Sequence, residues 1–304
     1  MHFLPSKHIT TMIFTLLLSA ASPPALSATS SGKVMHMPLE WDDTAIPIVN
    51  VEINGLRQSF SIDTGSEMGL HLTKEVMAQL PGLVPVEGKR RSIDLTGKVL
   101  FNEKFHIPQL SINGMIFKDV KGVSFTPWGL TLNPKTAPRS SMVIGLDLFK
   151  DKALLIDYQS QRLSVADNAQ ALGINIADGW ISLPLRITSE GITINVAKNT
   201  KEYNMVLDTG ATVSVFWQER LKSAVVSLPC QVLIGDIEME GCVAADFQLN
   251  EKGATGISFN AVLLDGVFKQ IDTDGLIGNN FLNEFALLID FPEQRLLIKK
   301  FNNT

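Results

Sequence analysis

Two short stretches of this chain carry the same acidic word. Phe60 to Gly69 reads FSIDTGSEMG, and Val206 to Ser214 reads VLDTGATVS. Each sends an apolar run into Asp-Thr-Gly, once at Asp63 and once at Asp208, 145 residues apart. One such word is an ordinary turn, since Asp and Gly are common turn formers. Two at matching places permit a chemistry that one does not. Carboxyls held about 3 Å apart cannot both ionise, so the pair shares one proton. The ionised member takes a proton from a water while the protonated member donates to the group under attack. In that chemistry Asp63 and Asp208 are the catalytic candidates. Gly65 and Gly210 let the backbone turn sharply and bring amide groups toward the carboxylates.

The two words sit in a duplicated chain. With Asp63 laid over Asp208, Val49-Asn50-Val51 falls on Ile194-Asn195-Val196, and Asn54 on Asn199. Further on, VIGLDLFKDKALLIDYQSQRLSV (Val143 to Val165) lies without gaps over LIGNNFLNEFALLIDFPEQRLLI (Leu276 to Ile298), at an offset of 133. Two collinear matches establish an internal repeat, with a shorter middle in the second copy. The copies divide near residues 167–179, which sets expected lobes at 29–170 and 171–304. Within each, short runs rich in Val, Ile, Leu and Phe are broken by Gly, Asn or Pro. PIVNVEING and GITINVAKN alternate apolar and polar residues as half-buried strands do, and Asn54-Gly55 and Asn113-Gly114 are hairpin-turn signals. Helix is expected only over Thr73 to Leu80, over Trp217 to Ala224, and as short turns after Gly145 and Gly278. The chain reads as mostly β.

Composition agrees with a folded, exported chain. Of 304 residues, 45% are hydrophobic and 19% charged, enough apolar material for a core rather than disorder. A net charge of -5 and a pI near 5.6 lack the basic footprint of a nucleic-acid binder. Lys7 precedes the apolar run Met12 to Ala21, and small residues follow from Ser22 to Ala28. That is the pattern of a secretory signal peptide, cleaved after Ser27 or Ala28, and it is shorter than the roughly 20 residues a bilayer span needs. Residues 1–28 are therefore expected to be removed, leaving a periplasmic or secreted monomer with no membrane partner. Cys230 and Cys242 flank QVLIGDIEMEG. A hairpin around Gly235-Asp236 would bring their sulfurs together, and an oxidising compartment favours a disulfide there. They have no companions for a metal site: past the leader only His36, His71 and His106 remain, none near in sequence. Asp272 to Gly275, DTDG, lacks the spaced oxygen ligands of a calcium loop and reads as a turn.

Both halves join the Asp-Thr-Gly word to a later apolar-apolar-Gly segment, Val143-Ile144-Gly145 and Leu276-Ile277-Gly278. On these residues the chain resembles the aspartic proteases of the pepsin and retropepsin superfamily, and DGLIGNNFL is similar to the second signature of bacterial retropepsin-like domains. At the level of repeat layout the resemblance covers nearly all of the chain past the leader. It implies a bilobal pepsin-like acid-protease fold, with two duplicated β-barrel-like lobes and a cleft between them. The implied activity is an aspartic endopeptidase acting on extended polypeptides without cofactor or metal. It also implies that Thr64 and Thr209 hydrogen-bond across a pseudo-twofold axis and hold the loops rigid. A hairpin lid is implied as well; RSIDLTGKVLF, Arg91 to Phe101, fits it best, with Leu95, Thr96 and Gly97 at its tip. The tyrosine usual in such lids is missing there, since the tyrosines are Tyr158 and Tyr203. The matching second-half hairpin is LIGDIEMEG. Gly145 and Gly278 leave room where another segment passes close. Ser66 follows the first word and Ala211 the second, so a hydroxyl is available to favour the ionised form of Asp63 but not of Asp208. Two other readings stay open. One is a catalytically silent peptide-binding or inhibitor protein on the same fold. The other is a glycosidase-like enzyme, which needs its carboxyls roughly 5 to 9 Å apart where the matched repeat favours contact.

Overall fold

A period of two in burial builds the sheets. In the strand Pro47–Ile53, Val49, Val51 and Ile53 are buried while Asn50 and Glu52 face outward. The chain then turns back at Asn54-Gly55, where φ is +47° and +86°. Positive φ at both positions suits the twist of a two-residue hairpin, which is why Asn and Gly occupy it. Asn113-Gly114 repeats the device with φ of +48° and +73°. The structure is a computed structural model, and it describes residues 33–93, 98–127, 141–222, 228–230, 242–254, 256–266 and 268–301.

Two eight-stranded sheets share one plan. In spatial order the first runs Glu40–Trp41, Pro47–Ile53, Leu56–Ile62, Met142–Ile144, Leu70–Leu72, Met115–Ser124, Val99–Ile112, Val84–Ile93. The second runs Arg186–Thr188, Gly191–Lys198, Lys201–Leu207, Gly275–Ile277, Val215–Trp217, Ser258–Leu264, Val243–Leu249, Leu228–Pro229. Pairing of Ile53 with Ile112, and of Val196 with Leu249, closes each sheet on itself. The result is two closed six-strand barrels in a chain that is 54% strand and 7% helix.

A six-stranded sheet joins the halves: Met35–Pro38, Arg162–Ala166, Ala153–Asp157, Phe285–Asp290, Arg295–Lys300, Ile181–Pro184. At its middle Leu155 pairs with Leu288, which are the same position of the repeat. The pseudo-twofold axis therefore passes between them. Leu155 and Leu288 pack with Ala153, Ala286 and Leu297 on one face of this sheet.

Among the described residues, local detail departs from the sequence reading at the second expected helix. The helix expected over Trp217 to Ala224 is instead the end of a strand, Val215–Trp217, followed by a 3₁₀ turn at Gln218–Arg220. Tertiary burial decides this: Val215, Phe216 and Trp217 are all buried, and Trp217 stacks on Phe268 with ring centroids 4.1 Å apart. The first expected helix forms at Lys74–Gln79, capped by the Thr73 side chain, and short turns follow Gly145 and Gly278. Cys230 and Cys242 form a disulfide, Cα atoms 5.7 Å apart. Among the described residues no helix is long and apolar enough to cross a membrane. The leader, Leu95-Thr96-Gly97 and the hairpin 233–241 lie outside the described residues.

Because Leu288 is fully buried at the axis, Leu288→Ala should lower stability by about 2–5 kcal/mol. Urea unfolding of the two proteins checks this, with an unchanged slope expected.

Candidate active site

Each Asp-Thr-Gly word begins where a strand becomes fully buried. Phe60, Ser61 and Ile62 are all buried, as are Met205, Val206 and Leu207. Alternation stops there because each strand end runs parallel to the later apolar segment. Ile62 pairs with Ile144 and Leu207 with Ile277, and parallel strands inside a sheet are covered on both faces. Asp63 N–H donates to Ile144 O at 3.0 Å and Asp208 N–H to Ile277 O at 2.9 Å. Both carboxylates then accept from their own loop: Gly65 N–H to Asp63 Oδ1 at 2.9 Å, Gly210 N–H to Asp208 Oδ1 at 2.7 Å.

The two loops meet through their threonines. Thr64 N–H donates to Thr209 Oγ1 at 3.1 Å, and Thr209 N–H to Thr64 Oγ1 at 3.0 Å. Each hydroxyl passes its own proton across: Thr64 Oγ1 donates to Leu207 O at 2.6 Å, Thr209 Oγ1 to Ile62 O at 2.7 Å. Both side chains are excluded from water, at 1% and 0% exposure. This sets the Asp208 carboxyl directly over the opposite loop. A Cβ on Gly65 would stand 2.9 Å from both Cγ and Oδ1 of Asp208, closer than a side chain can come, so only glycine fits. A Cβ on Gly145 would collide with the Met68 and Ser66 carbonyls, and one on Gly278 with those of Val213 and Ala211.

The surroundings of the two carboxyls differ. The Ser66 hydroxyl, expected from sequence to serve Asp63, has His71 Nε2 at 2.8 Å. Arg90 holds Glu67, two residues past Gly65, at 2.7 Å. Its neighbour Arg91 donates to Gln270 Oε1 of the other half at 2.7 Å. Both arginines lie on Val84–Ile93, which pairs with Val99–Ile112 up to Ile93 opposite Val99, so the stem of the expected lid is tied to both halves. Behind Asp208 stand Tyr158 and Asn279, linked to each other at 2.7 Å. Sequence reasoning passed over His71, Tyr158 and Asn279. The signal for the last two lay in the repeat, which sets Tyr158 over Phe291 and Asn279 over Leu146. Among the described residues no cluster of three or more His, Cys, Asp or Glu could hold a metal ion.

Solved structures share this architecture. An aspartic proteinase from Irpex lacteus matches with a TM-score of 0.51 at 12% identity, over 89% of this chain and 98% of its own. Basic 7S globulin from soybean matches with a TM-score of 0.56 at 11% identity, over 90% of this chain and 100% of its own. The fold is thus the bilobal pepsin-like one. One relative in shape is named a proteinase and the other a globulin, so fold alone does not assign the activity and the site must. No protein-family model matches the chain, and no curated protein does.

Thr209→Val keeps the shape but removes the hydroxyl, leaving Ile62 O and Thr64 N–H without their partner. Stability should fall by about 2–4 kcal/mol, since buried orphans cost about 1–3 kcal/mol each. Thr209→Ser should recover most of it, measured by denaturant unfolding.

Proposed function

We propose that the chain is an aspartic endopeptidase that hydrolyses peptide bonds of extended polypeptides with one water and two carboxyls. The observation that carries this reading is the reciprocal threonine bonding, which brings two Asp loops of identical design together with the Asp208 carboxyl over Gly65. Like carboxyls so placed share one proton. The ionised carboxylate takes a proton from the water as its oxygen attacks the scissile carbonyl carbon. The other carboxyl gives its proton to the carbonyl oxygen. When the resulting gem-diol collapses the C–N bond breaks, the proton held by the first carboxyl goes to the leaving amine, and one gem-diol hydroxyl returns its proton to the second carboxyl as the acid product forms. Asp63 and Asp208 are the catalytic residues in this scheme. Thr64, Gly65, Ser66, Thr209, Gly210, Ala211, Gly145 and Gly278 support their loops.

In this reading the substrate lies in the cleft, and the Arg91–Gln270 bond steadies the strand that leads to the expected lid at Leu95, Thr96 and Gly97, residues outside those described. We take residues 1–28 as a signal peptide, 29–170 and 171–304 as two retropepsin-like lobes, and the mature enzyme as a periplasmic or secreted monomer. The Cys230–Cys242 disulfide supports an oxidising compartment. Neither cofactor nor nucleic acid enters this function.

The test is residues 29–304 beside Asp63→Asn and Asp208→Asn, incubated with an unfolded protein from about pH 3 to 7. Cleavage should have a bell-shaped pH profile, and each variant should lose at least about a hundredfold in rate. A folded parent chain that cleaves nothing would turn the assignment to the silent peptide-binding protein.

A further inference from the structure

Most of the backbone bonds that hold the two Asp loops are alike. Leu146 N–H donates to Ser66 O at 2.9 Å, and its repeat equivalent Asn279 N–H donates to Ala211 O at 2.8 Å. Asp147 N–H reaches Glu67 O at 3.1 Å, as Asn280 N–H reaches Thr212 O at 3.0 Å. Two places differ: Gly145 N–H donates to Gly69 O at 3.1 Å where Gly278 N–H donates to the Ser214 hydroxyl at 3.0 Å, and the threonine carbonyls have different donors. Thr64 O accepts from Ile192 N–H at 3.2 Å. The residue 145 positions before Ile192 is Pro47, at the same place in its strand: Ile48 pairs with Ser61 as Thr193 pairs with Val206. Proline has no N–H, so this donor does not exist for Thr209 O.

A side chain fills the gap. Asn279 Nδ2 donates to Thr209 O at 2.8 Å, and the Tyr158 hydroxyl donates to Asn279 Oδ1 at 2.7 Å. Tyr158, Asn279 and Thr209 are 5%, 4% and 0% exposed, so water does not substitute for any of them. At the corresponding places the repeat has Phe291 and Leu146, which carry no hydrogen-bonding groups on their side chains. The polar pair therefore occurs once, at the loop whose backbone donor is lost to Pro47.

Thr209 C=O and Gly210 N–H belong to one peptide group, and Gly210 N–H donates to Asp208 Oδ1. Hydrogen bonds arranged in series polarise one another. The series here runs from the Tyr158 O–H through the Asn279 carboxamide and the Thr209–Gly210 peptide to the carboxylate. We propose that Tyr158 and Asn279 are positioning residues for Asp208: they replace the amide that Pro47 lacks, orient the Thr209–Gly210 peptide and strengthen its N–H as a donor to Asp208. Of the titratable groups nearby, Asp63 belongs to the loop whose Gly65 lies against the Asp208 carboxyl, and Tyr158 feels the Asp208 charge. Burial, and then the Asp208 charge, push the Tyr158 phenol well above its ordinary range, so Tyr158 remains a protonated donor throughout the working pH. The catalytic meaning of this arrangement rests on the endopeptidase reading, but its hydrogen bonds do not.

The test isolates Asp208 by working in Asp63→Asn, where one carboxyl of the pair titrates alone, followed by carbon-13 NMR of labelled aspartate. Adding Asn279→Leu should raise the Asp208 midpoint by about half a unit to one unit, the effect of losing support for the ionised form. Adding Pro47→Ala as well should bring it back down, because the new amide offers Thr209 O what Ile192 offers Thr64 O. A midpoint unmoved by Asn279→Leu, or moved but not restored by Pro47→Ala, would overturn the proposal. Should Asn279→Leu not fold, Tyr158→Phe carries the same test, with a smaller rise expected and an unmoved midpoint overturning it. No turnover is needed for the titration. Failure to cleave any substrate would thus count against the endopeptidase reading and leave this one standing.

Discussion

Two threonines, each at once donor and acceptor to the opposite half, hold the centre of this molecule. Thr64 and Thr209 exchange backbone N–H and hydroxyl bonds and send their hydroxyl protons on to Leu207 O and Ile62 O. Every one of these bonds crosses between the halves. Neither loop can complete its own geometry, because the groups that satisfy it belong to the other copy. Burial makes the arrangement stringent: a partner missing here is not replaced by solvent, and the desolvated group remains unpaired. Gly65, Gly145 and Gly278 follow from the same closeness, since each lies where a Cβ would meet another segment's polar atoms.

The scaffold supplies symmetry and the side chains withdraw it. Eight strands in the same spatial order build each half, and Leu155 opposite Leu288 marks the axis in the joining sheet. On that even frame the two carboxyls receive different neighbours. Ser66 and His71 stand beside the first loop, while Asn279 and Tyr158 support the second. Chemistry with one shared proton asks two like groups to act unequally, as acid and as base. Unequal surroundings are a natural means to that end, and they are reached without disturbing the backbone bonds that both loops need.

What could be read from sequence was what local chain chemistry controls. Asn54-Gly55 and Asn113-Gly114 adopt the positive φ their residue types allow, and the strand Pro47–Ile53 obeys its own alternation. The repeat disclosed the paired Asp words because both copies kept the whole word. Features set by distant neighbours stayed hidden. Trp217 looked helical in its local window, yet burial against Phe268 holds it at a strand end. No spacing rule links Ser66 to His71 or Arg91 to Gln270, which meet only once the barrels close. The Tyr158–Asn279 pair was latent in the alignment as polar residues set over Phe291 and Leu146. Its meaning required Pro47, far away in the chain, to be seen as a missing donor.

Pro47 also makes the duplication a one-way step. A dimer of two first halves would set Pro47 beneath both loops and Leu146 beside Tyr158, leaving each Thr64 carbonyl and each phenol without a buried partner. A dimer of two second halves would set Asn279 against Phe291, so that no hydroxyl reaches the carboxamide oxygen. In both, the threonine exchange and the leucine pairing at the axis would be geometrically intact. Each orphaned group would nevertheless cost about 1–3 kcal/mol, twice over by symmetry. Whatever homodimeric ancestry the repeat preserves, its present halves are no longer substitutes for one another. In the fused chain one copy lacks an amide and a side chain of the other stands in its place.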